Sequence, residues 1–244
     1  MTQVLIVAHG QPSDPDRAEA ELGLFAAQVA ALLPTRVVKS ATLATPQAIE
    51  QAVATLGRVG LVFPMFMAGG WFTRIHLPKR LRAAGGQGWR VLEPLGCDPA
   101  LHDLAAQLVA EAYAGTSSGP VLLAAHGSFK SPVPSDIAHH VAGVIARKTG
   151  AQVEAAFIDQ DPQLSAATGY GPDTICLPFF AACGGHVAAD IPAALARAGF
   201  QGRLLPALGL DARVPQLVAR AITAAQPVCV SECRFKRGVR DQTV

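Results

Sequence analysis

The feature that most constrains the fold of this chain is an internal repeat. VLIVAHG at Val4–Gly10 recurs as VLLAAHG at Val121–Gly127, which pairs His9 with His126. Three more pairs of segments follow in the same order: ATLATPQ with FIDQDPQ, FPMFMAGGWFTRIHLP with LPFFAACGGHVAADIP, and PLGCD with PALGLD. Agreement at four places in one order, with only small changes of offset, predicts two copies of one structural unit.

Each copy alternates short apolar runs with longer segments of helical periodicity. The apolar runs are continuous, which is typical of parallel strands that are covered on both faces. In the first copy the predicted strands are Val4–Ala8, Arg36–Leu43, Gly60–Phe66 and Trp89–Glu93. We therefore predict an α/β protein of two pseudo-symmetric three-layer lobes, each with a four-stranded parallel sheet flanked by helices.

A segment rich in Gly and Ser separates the two copies. AGTSSGP at Ala114–Pro120 is typical of a linker, so the predicted domains are residues 1–115 and 120–226. Residues 227–244 form a basic tail that holds Cys229 and Cys233. Two thiols alone are too few for a metal or cluster site, so we interpret this tail as a loosely held segment.

Charge and hydropathy restrict the function classes. Of the 244 residues 50% are hydrophobic and 16% charged, and the net charge is only +2. Every uncharged stretch is too short or too broken to span a membrane, and no basic stripe interleaved with aromatic residues predicts a nucleic-acid partner. The N-terminus has no basic residue before its apolar run, and the five cysteines form no CxxC pair. We therefore expect a soluble cytoplasmic protein with reduced thiols.

Candidate catalytic residues follow the strands of the second copy. In open parallel sheets ligands bind beyond the carboxyl ends of the strands. His126 follows the first strand of this copy, Asp159 the second and His186 the third. Each has a purely structural alternative, because strand-end histidines are often structural and Asp159 is placed to cap a helix beginning near Asp161-Pro162. Their convergence at one sheet edge favours a site of two imidazoles and a carboxylate.

The first copy has lost most of this polar set. Phe72 stands where His186 stands in the second copy, Leu43 replaces Asp159, and only His9 is kept. We therefore predict that the first copy is a degenerate site that forms one wall of a shared cleft. Its basic run has an alternative interpretation as an ordinary solvated helix face. The residues that would line the wall are apolar or basic: Met67, Trp71, Phe72, Arg74, Lys79 and Arg80.

The motifs LIVAHG, LLAAHGS and LPFFAACGGHVAADIP resemble those of the sirohydrochlorin cobaltochelatases and ferrochelatases, a group of class II tetrapyrrole chelatases. The resemblance covers both copies and implies a lyase that inserts a divalent metal into sirohydrochlorin. It also implies that His126 and His186 bind the incoming metal and take up pyrrole protons, while Asp159 matches an acidic family position. Many relatives carry the histidine pair in the N-terminal lobe. Phe72 occupies that position here, so we expect the site in the C-terminal lobe.

The resemblance also implies which ligands and partners we expect. No organic cofactor is required, because the metal is a substrate: Fe²⁺ giving sirohaem is expected, and Co²⁺ for cobalamin synthesis is the alternative. Neutral imidazole suits both metal binding and proton uptake, and Asp159 would orient one imidazole. The macrocycle would lie between the lobes of a monomer or homodimer. We expect it to contact the following groups: Ser128, Lys130, the backbone of Gly184 and Gly185, His9, Trp71 and Arg74.

Two other functions are alternatives to the chelatase. A hydrolase is disfavoured because the chain has no GxSxG motif to supply a nucleophile. A non-catalytic carrier of tetrapyrrole or metal stays open, because binding and insertion need overlapping residues.

Overall fold

The computed structural model describes residues 1–114, 119–229 and 233–236. The first sheet has the strand order β2-β1-β3-β4, and all its pairs are parallel. Val4, Leu5, Ile6 and Val7 of its central strand are fully buried, as a continuous apolar run requires. The observed bounds lie within two residues of the predicted ones: β1 Thr2–Ala8, β2 Arg36–Thr42, β3 Val59–Pro64 and β4 Gly88–Val91.

The second sheet repeats the first. Its order is β6-β5-β7-β8, again with parallel pairs. The predicted α/β fold of two four-stranded parallel sheets flanked by helices is therefore confirmed. The strands are β5 Val121–Ala125, β6 Val153–Phe157, β7 Ile175–Pro178 and β8 Arg203–Leu204. The helices are α1 Pro15–Leu32, α2 Ala48–Leu56, α3 Leu77–Ala83, α4 Pro99–Ala112, α5 Val133–Thr149, α6 Ile191–Arg197 and α7 Val214–Ala224.

The two copies differ after their second strands. In the first copy α2 follows β2, whereas the second copy has only a short 3₁₀ turn at Leu164–Ala166. Residues 158–162 form a loop of bends that returns to the end of β6, where Gln163 pairs with Phe157 and the Phe157 N–H donates to the carbonyl of Pro162. No α-helix begins near Asp161-Pro162, so the alternative interpretation of Asp159 as a helix cap is wrong.

The compact units do not coincide with the predicted domains. Of the described residues, one unit contains Met1–Asp98 and 212–229, and the other contains Pro99–Asp211 and 233–236. Helix α4 follows the first sheet along the chain but packs on α5, while α7 follows the second sheet but packs on α1. The predicted domains 1–115 and 120–226 follow the sequence repeat, whereas the packing exchanges the last helix of each copy.

Part of the tail after α7 is packed. Pro227 pairs with Leu92 in antiparallel fashion, and the Val228 N–H donates to the carbonyl of Val91. Phe235 is 7% exposed, and its ring contacts those of His102 and His140 at 5.3 and 4.6 Å. Burial of this ring favours docking of the segment, so the expectation of a loosely held tail is wrong for these residues. The rest of the tail, 230–232 and 237–244, lies outside the described residues.

The sequence predicts no segment that spans a membrane, and the length and hydropathy of the helices can be compared with this prediction. Among the described residues, no helix is both long and apolar enough to cross a bilayer.

Candidate active site

A glycine turn places one histidine at the end of the central strand in each sheet. Gly10 and Gly127 follow His9 and His126, and both have φ of 73°, which favours glycine. A Cβ on Gly127 would lie 2.6 Å from Cγ of Gln160, and one on Gly10 would be equally crowded. The His-Gly pair therefore turns the chain sharply and leaves each imidazole exposed at the carboxyl edge of its sheet.

His126 is oriented by two oxygen atoms. Its Nδ1 lies 3.0 Å from the carbonyl oxygen of Gly127 and 3.5 Å from Oδ2 of Asp159. Both oxygens only accept hydrogen bonds, so this contact favours the tautomer with the proton on Nδ1. The Nε2 atom is then left with a lone pair. Asp159 therefore lies beside His126, whereas the sequence left open which imidazole it would orient.

His186 begins a π-helical turn, His186–Asp190, that runs into α6. Its Nδ1 lies 2.7 Å from Oδ2 of Asp190, so a carboxylate fixes the tautomer of this ring as well. Sequence reasoning missed Asp190 as a partner of His186. The signal was present, because a histidine and an aspartate four residues apart in a helical segment lie on one face.

The two imidazoles are neighbours in the second unit. The ring centroids of His126 and His186 lie 4.6 Å apart with an interplanar angle of 88°. Each ring has its Nδ1 against an oxygen acceptor, which leaves an Nε2 lone pair on each of two neighbouring rings for a metal ion or a proton. Within the described residues, no group of three or more His, Cys, Asp or Glu side chains is arranged to hold a metal. Two imidazoles are fewer ligands than closed structural metal sites use.

A cavity of about 290 Å³ adjoins His186, whereas His126 is not among its lining residues. Both carboxylates of the site, Asp159 and Asp190, open into it together with His186. The rest of its lining is mixed: Gln163, Ser165 and Arg197 are polar or charged, whereas Phe157, Ile158 and Ala194 are apolar. The cavity gives water access to the carboxylates that hold the two Nδ1 atoms.

The loop after His126 holds two of the predicted substrate contacts. The Ser128 N–H donates to Oε1 of Gln160 at 2.7 Å, and the Ser128 hydroxyl accepts from the Lys130 N–H at 3.1 Å. Lys130 is exposed, as is the neighbouring Phe129 at 80%. Two further predicted contacts of the second unit, Gly184 and Gly185, directly precede the π-helical turn.

The equivalent place in the first unit is aromatic. Phe72 begins a matching π-helical turn, Phe72–His76, and its ring lies 4.6 Å from that of His9. Trp71 stacks on His76 at 4.9 Å with an interplanar angle of 30°. Burial lowers the pKa of His76, with smaller contributions from the positive charges of its basic neighbours. We call this set the aromatic cluster: His9, Phe66, Trp71, Phe72 and His76.

The basic residues beside the aromatic cluster are not equivalent. Arg80 donates two hydrogen bonds to the carboxylate of Glu50, at 2.8 and 3.1 Å, and these bonds lower the pKa of Glu50. Arg74 is half-buried, with Nε and Nη2 shielded from solvent. Lys79 is exposed. A solvated helix face therefore describes Lys79 but neither arginine.

Comparison with protein families gives a match to CbiX over residues 3–112 and again over 120–225. The two matches coincide with the two copies of the repeat. A comparison with curated proteins found no match.

Solved structures share the fold. A CbiX called the terminal enzyme for biosynthesis of siroheme in denitrifying bacteria is 43% identical, with a TM-score of 0.85 over 91% of this chain and 99% of that one. SirB from Bacillus subtilis with Fe³⁺ is 17% identical, with a TM-score of 0.72 over 97% of this chain and 99% of that one. The sirohydrochlorin chelatase SirB from Bacillus subtilis subspecies spizizenii in complex with cobalt is 16% identical, with a TM-score of 0.65 over 92% and 95% of the two chains.

Proposed function

Because this chain belongs to the CbiX family, we propose that it is a chelatase that inserts a divalent metal ion into sirohydrochlorin, with its chemistry at His126 and His186. The observation that carries the proposal is the pair of adjacent imidazoles, each held at Nδ1 by an oxygen acceptor. A relative that is 43% identical over almost its whole length is the terminal enzyme of siroheme biosynthesis. That relative supports both the reaction class and the tetrapyrrole substrate.

The geometry suits the two demands of metal insertion. The reaction exchanges one M²⁺ for two pyrrole N–H protons, so four metal–nitrogen bonds form in the macrocycle and two protons leave. The Nε2 atoms of His126 and His186 would first hold the metal through an exchangeable pair of bonds. As each bond to the metal breaks, the freed Nε2 becomes a base for a pyrrole proton.

The carboxylates support the proton-uptake step. An imidazole that gains a proton on Nε2 carries a positive charge, and a carboxylate at Nδ1 stabilises that charge. Asp190 does this for His186 at 2.7 Å, and Asp159 for His126 at 3.5 Å. The carboxylates and ring edge of the substrate are proposed to contact the following residues: Ser128, Lys130, Gly184, Gly185, His9, Trp71 and Arg74.

We propose Fe²⁺ as the metal and sirohaem as the product. The support is the role in siroheme biosynthesis of the 43% identical relative. Imidazole nitrogen and carboxylate oxygen ligands suit Fe²⁺, Co²⁺ and Ni²⁺ alike, so cobalt insertion is the alternative.

A metal-insertion assay tests the proposal. We expect anaerobic mixing of the protein with sirohydrochlorin and Fe²⁺ to replace the absorption bands of the free macrocycle with those of the metallated one. Parallel reactions with Co²⁺ and Ni²⁺ at equal concentration rank the metals, and metal plus macrocycle without protein gives the background. Faster insertion of Co²⁺ than Fe²⁺ would favour the cobaltochelatase. Binding of sirohydrochlorin with no insertion of any of the three metals would instead identify a carrier.

A further inference from the structure

Gln160 connects the loop that follows β6 with the loop that follows β5. Its Oε1 accepts a hydrogen bond from the Ser128 N–H at 2.7 Å, and its Cγ lies so close to Gly127 that a Cβ on that glycine would come within 2.6 Å. A second bond joins the same two loops, from the Asp159 N–H to the carbonyl of His126 at 2.9 Å. The half-buried side chain of Gln160 therefore helps to hold together the loops that carry His126 and Asp159.

The bond to Gln160 acts on the peptide group that orients His126. The Ser128 N–H and the Gly127 carbonyl belong to one planar trans peptide, so they point in opposite directions. The N–H donates to Gln160, and the carbonyl oxygen lies 3.0 Å from Nδ1 of His126. A peptide whose N–H donates has a carbonyl that accepts more strongly, because hydrogen bonds in a chain polarise one another. Gln160 thus aims and strengthens the contact that favours a proton on Nδ1 of His126.

This peptide needs a constraint because it follows a glycine. Gly127 is buried and has φ of 73°, and glycine has more backbone freedom than any other residue. Rotation of the peptide after Gly127 would turn its N–H towards Nδ1 of His126 in place of its carbonyl. A donor at that position favours the tautomer with the proton on Nε2, which lacks the lone pair needed for a metal ion or a pyrrole proton. The other acceptor, Asp159, lies further away, at 3.5 Å.

The first unit uses the matching position differently. The strand registers match Thr42 with Phe157, so Thr45 stands where the second unit has Gln160. The hydroxyl of Thr45 lies 2.9 Å from that of Thr42, at the end of its own strand, and the Thr45 N–H donates to the same oxygen. Among the described residues, the side chain at this position bonds to the loop after the central strand only in the unit with the two adjacent imidazoles.

We propose that Gln160 is a positioning residue that holds the proton of neutral His126 on Nδ1 through the peptide between Gly127 and Ser128. It acts through the imidazole and not on the substrate. The use of the Nε2 lone pair of His126 in metal insertion rests on the proposed function. The tautomer itself does not, because it is a property of the protein without metal or macrocycle.

The tautomer of His126 is measured by ¹⁵N NMR of the imidazole nitrogens, in the full metal-free chain at a pH where imidazole is neutral. Signals are assigned from His126→Ala and His186→Ala. Gln160→Leu fills a similar volume without an acceptor, so the ratio of the Nε2-protonated to the Nδ1-protonated form of His126 should rise about fivefold, the factor that corresponds to one ordinary hydrogen bond. Gln160→Glu keeps an oxygen acceptor at the same reach and should retain the tautomer of the wild type.

The chain offers three controls for this measurement. His186 is an internal control, because its Nδ1 is held by Asp190 and not by a peptide. Its unchanged tautomer in Gln160→Leu would separate a loss of positioning from a general loss of structure. Gln152→Leu makes the same substitution at an exposed glutamine immediately before β6 and should leave both imidazoles as in the wild type. Gln160→Asn withdraws the oxygen by one methylene group and should behave like Gln160→Leu.

The insertion assay measures the consequence for the reaction. Gln160→Leu should lower kcat about tenfold, the low end of the range for loss of a group that orients a metal-binding histidine. Gln160→Glu should recover most of this loss, and Gln152→Leu should match the wild type.

The outcomes separate this proposal from the chelatase proposal. A tautomer of His126 that is the same in Gln160→Leu and in the wild type would overturn the positioning role, and so would an equal shift in Gln160→Glu or Gln152→Leu. A shifted tautomer in Gln160→Leu, in a protein that inserts no metal, would support the positioning role and contradict the chelatase proposal. Metal insertion by the wild type with an unchanged tautomer in Gln160→Leu would do the reverse.

Discussion

Replacement of His186 by alanine is expected to lower the kcat of metal insertion by about two to four orders of magnitude, the usual contribution of a positioned acid–base group. The variant loses one of two metal ligands and one of two proton acceptors. It also removes the imidazole that the carboxylate of Asp190 orients through the 2.7 Å contact with Nδ1. Initial rates of anaerobic insertion into sirohydrochlorin, measured by absorbance, give the effect, and His126→Ala should behave alike.

His9→Ala is the matched comparison, because His9 has the same place in the repeat as His126. Its ring contacts Phe72 and Phe66 instead of a second imidazole, so its loss should raise KM and leave kcat within the same order of magnitude. A collapse of kcat in His9→Ala, together with near-normal turnover in His186→Ala, would place the chemistry in the first unit and contradict the account.

Replacement of Asp190 by asparagine is expected to reduce insertion about 10- to 100-fold, the range found when the partner of a metal-binding histidine is lost. The neutral amide stabilises a protonated His186 less, and its NH₂ group can donate to Nδ1 and so favour the wrong tautomer. Asp159→Asn should have a smaller effect. His126 keeps its 3.0 Å contact with the carbonyl of Gly127, whereas its contact with Asp159 is longer at 3.5 Å.

The insertion rates of the aspartate variants are expected to fall in a definite order, with the largest loss in Asp190→Asn and a smaller loss in Asp159→Asn. Asp161→Asn removes an exposed carboxylate two residues from Asp159 and serves as the charge-matched control, with a rate expected near that of the wild type. Equal rates for Asp190→Asn and Asp161→Asn would show that the 2.7 Å contact does not contribute to the reaction. A larger loss in Asp159→Asn than in Asp190→Asn would give Asp159 a direct role instead of an orienting one.

Much of the fold was predictable because the repeat restricts it strongly. Two continuous apolar runs that both end in His-Gly predict central parallel strands, and β1 and β5 lie there. The exchange of α4 and α7 between the units was not predictable. The periodicity of a helix shows which face is buried but not which of two similar sheets it covers.

The sequence predicted which three residues lie together in the candidate site, but it did not predict all of their contacts. Strand order brings His126, His186 and Asp159 to one sheet edge, and the structure has them there. The contact between Asp190 and His186 depends on the side chains within one π-helical turn, which hydrophobic periodicity does not report. The alternative role of Asp159 as a helix cap failed because the segment forms a loop that returns to β6 and pairs Gln163 with Phe157, so no α-helix begins there.

Cobalt titration tests the central claim, that the metal chemistry belongs to the second unit alone. Co²⁺ added anaerobically to the protein without macrocycle, and followed by its visible absorption, should saturate at one ion per chain. The double variant His126→Ala, His186→Ala should bind none at this site, while His9→Ala should still bind one. Two ions per chain in the wild type, or one ion that is retained by the double variant and lost in His9→Ala, would contradict the account.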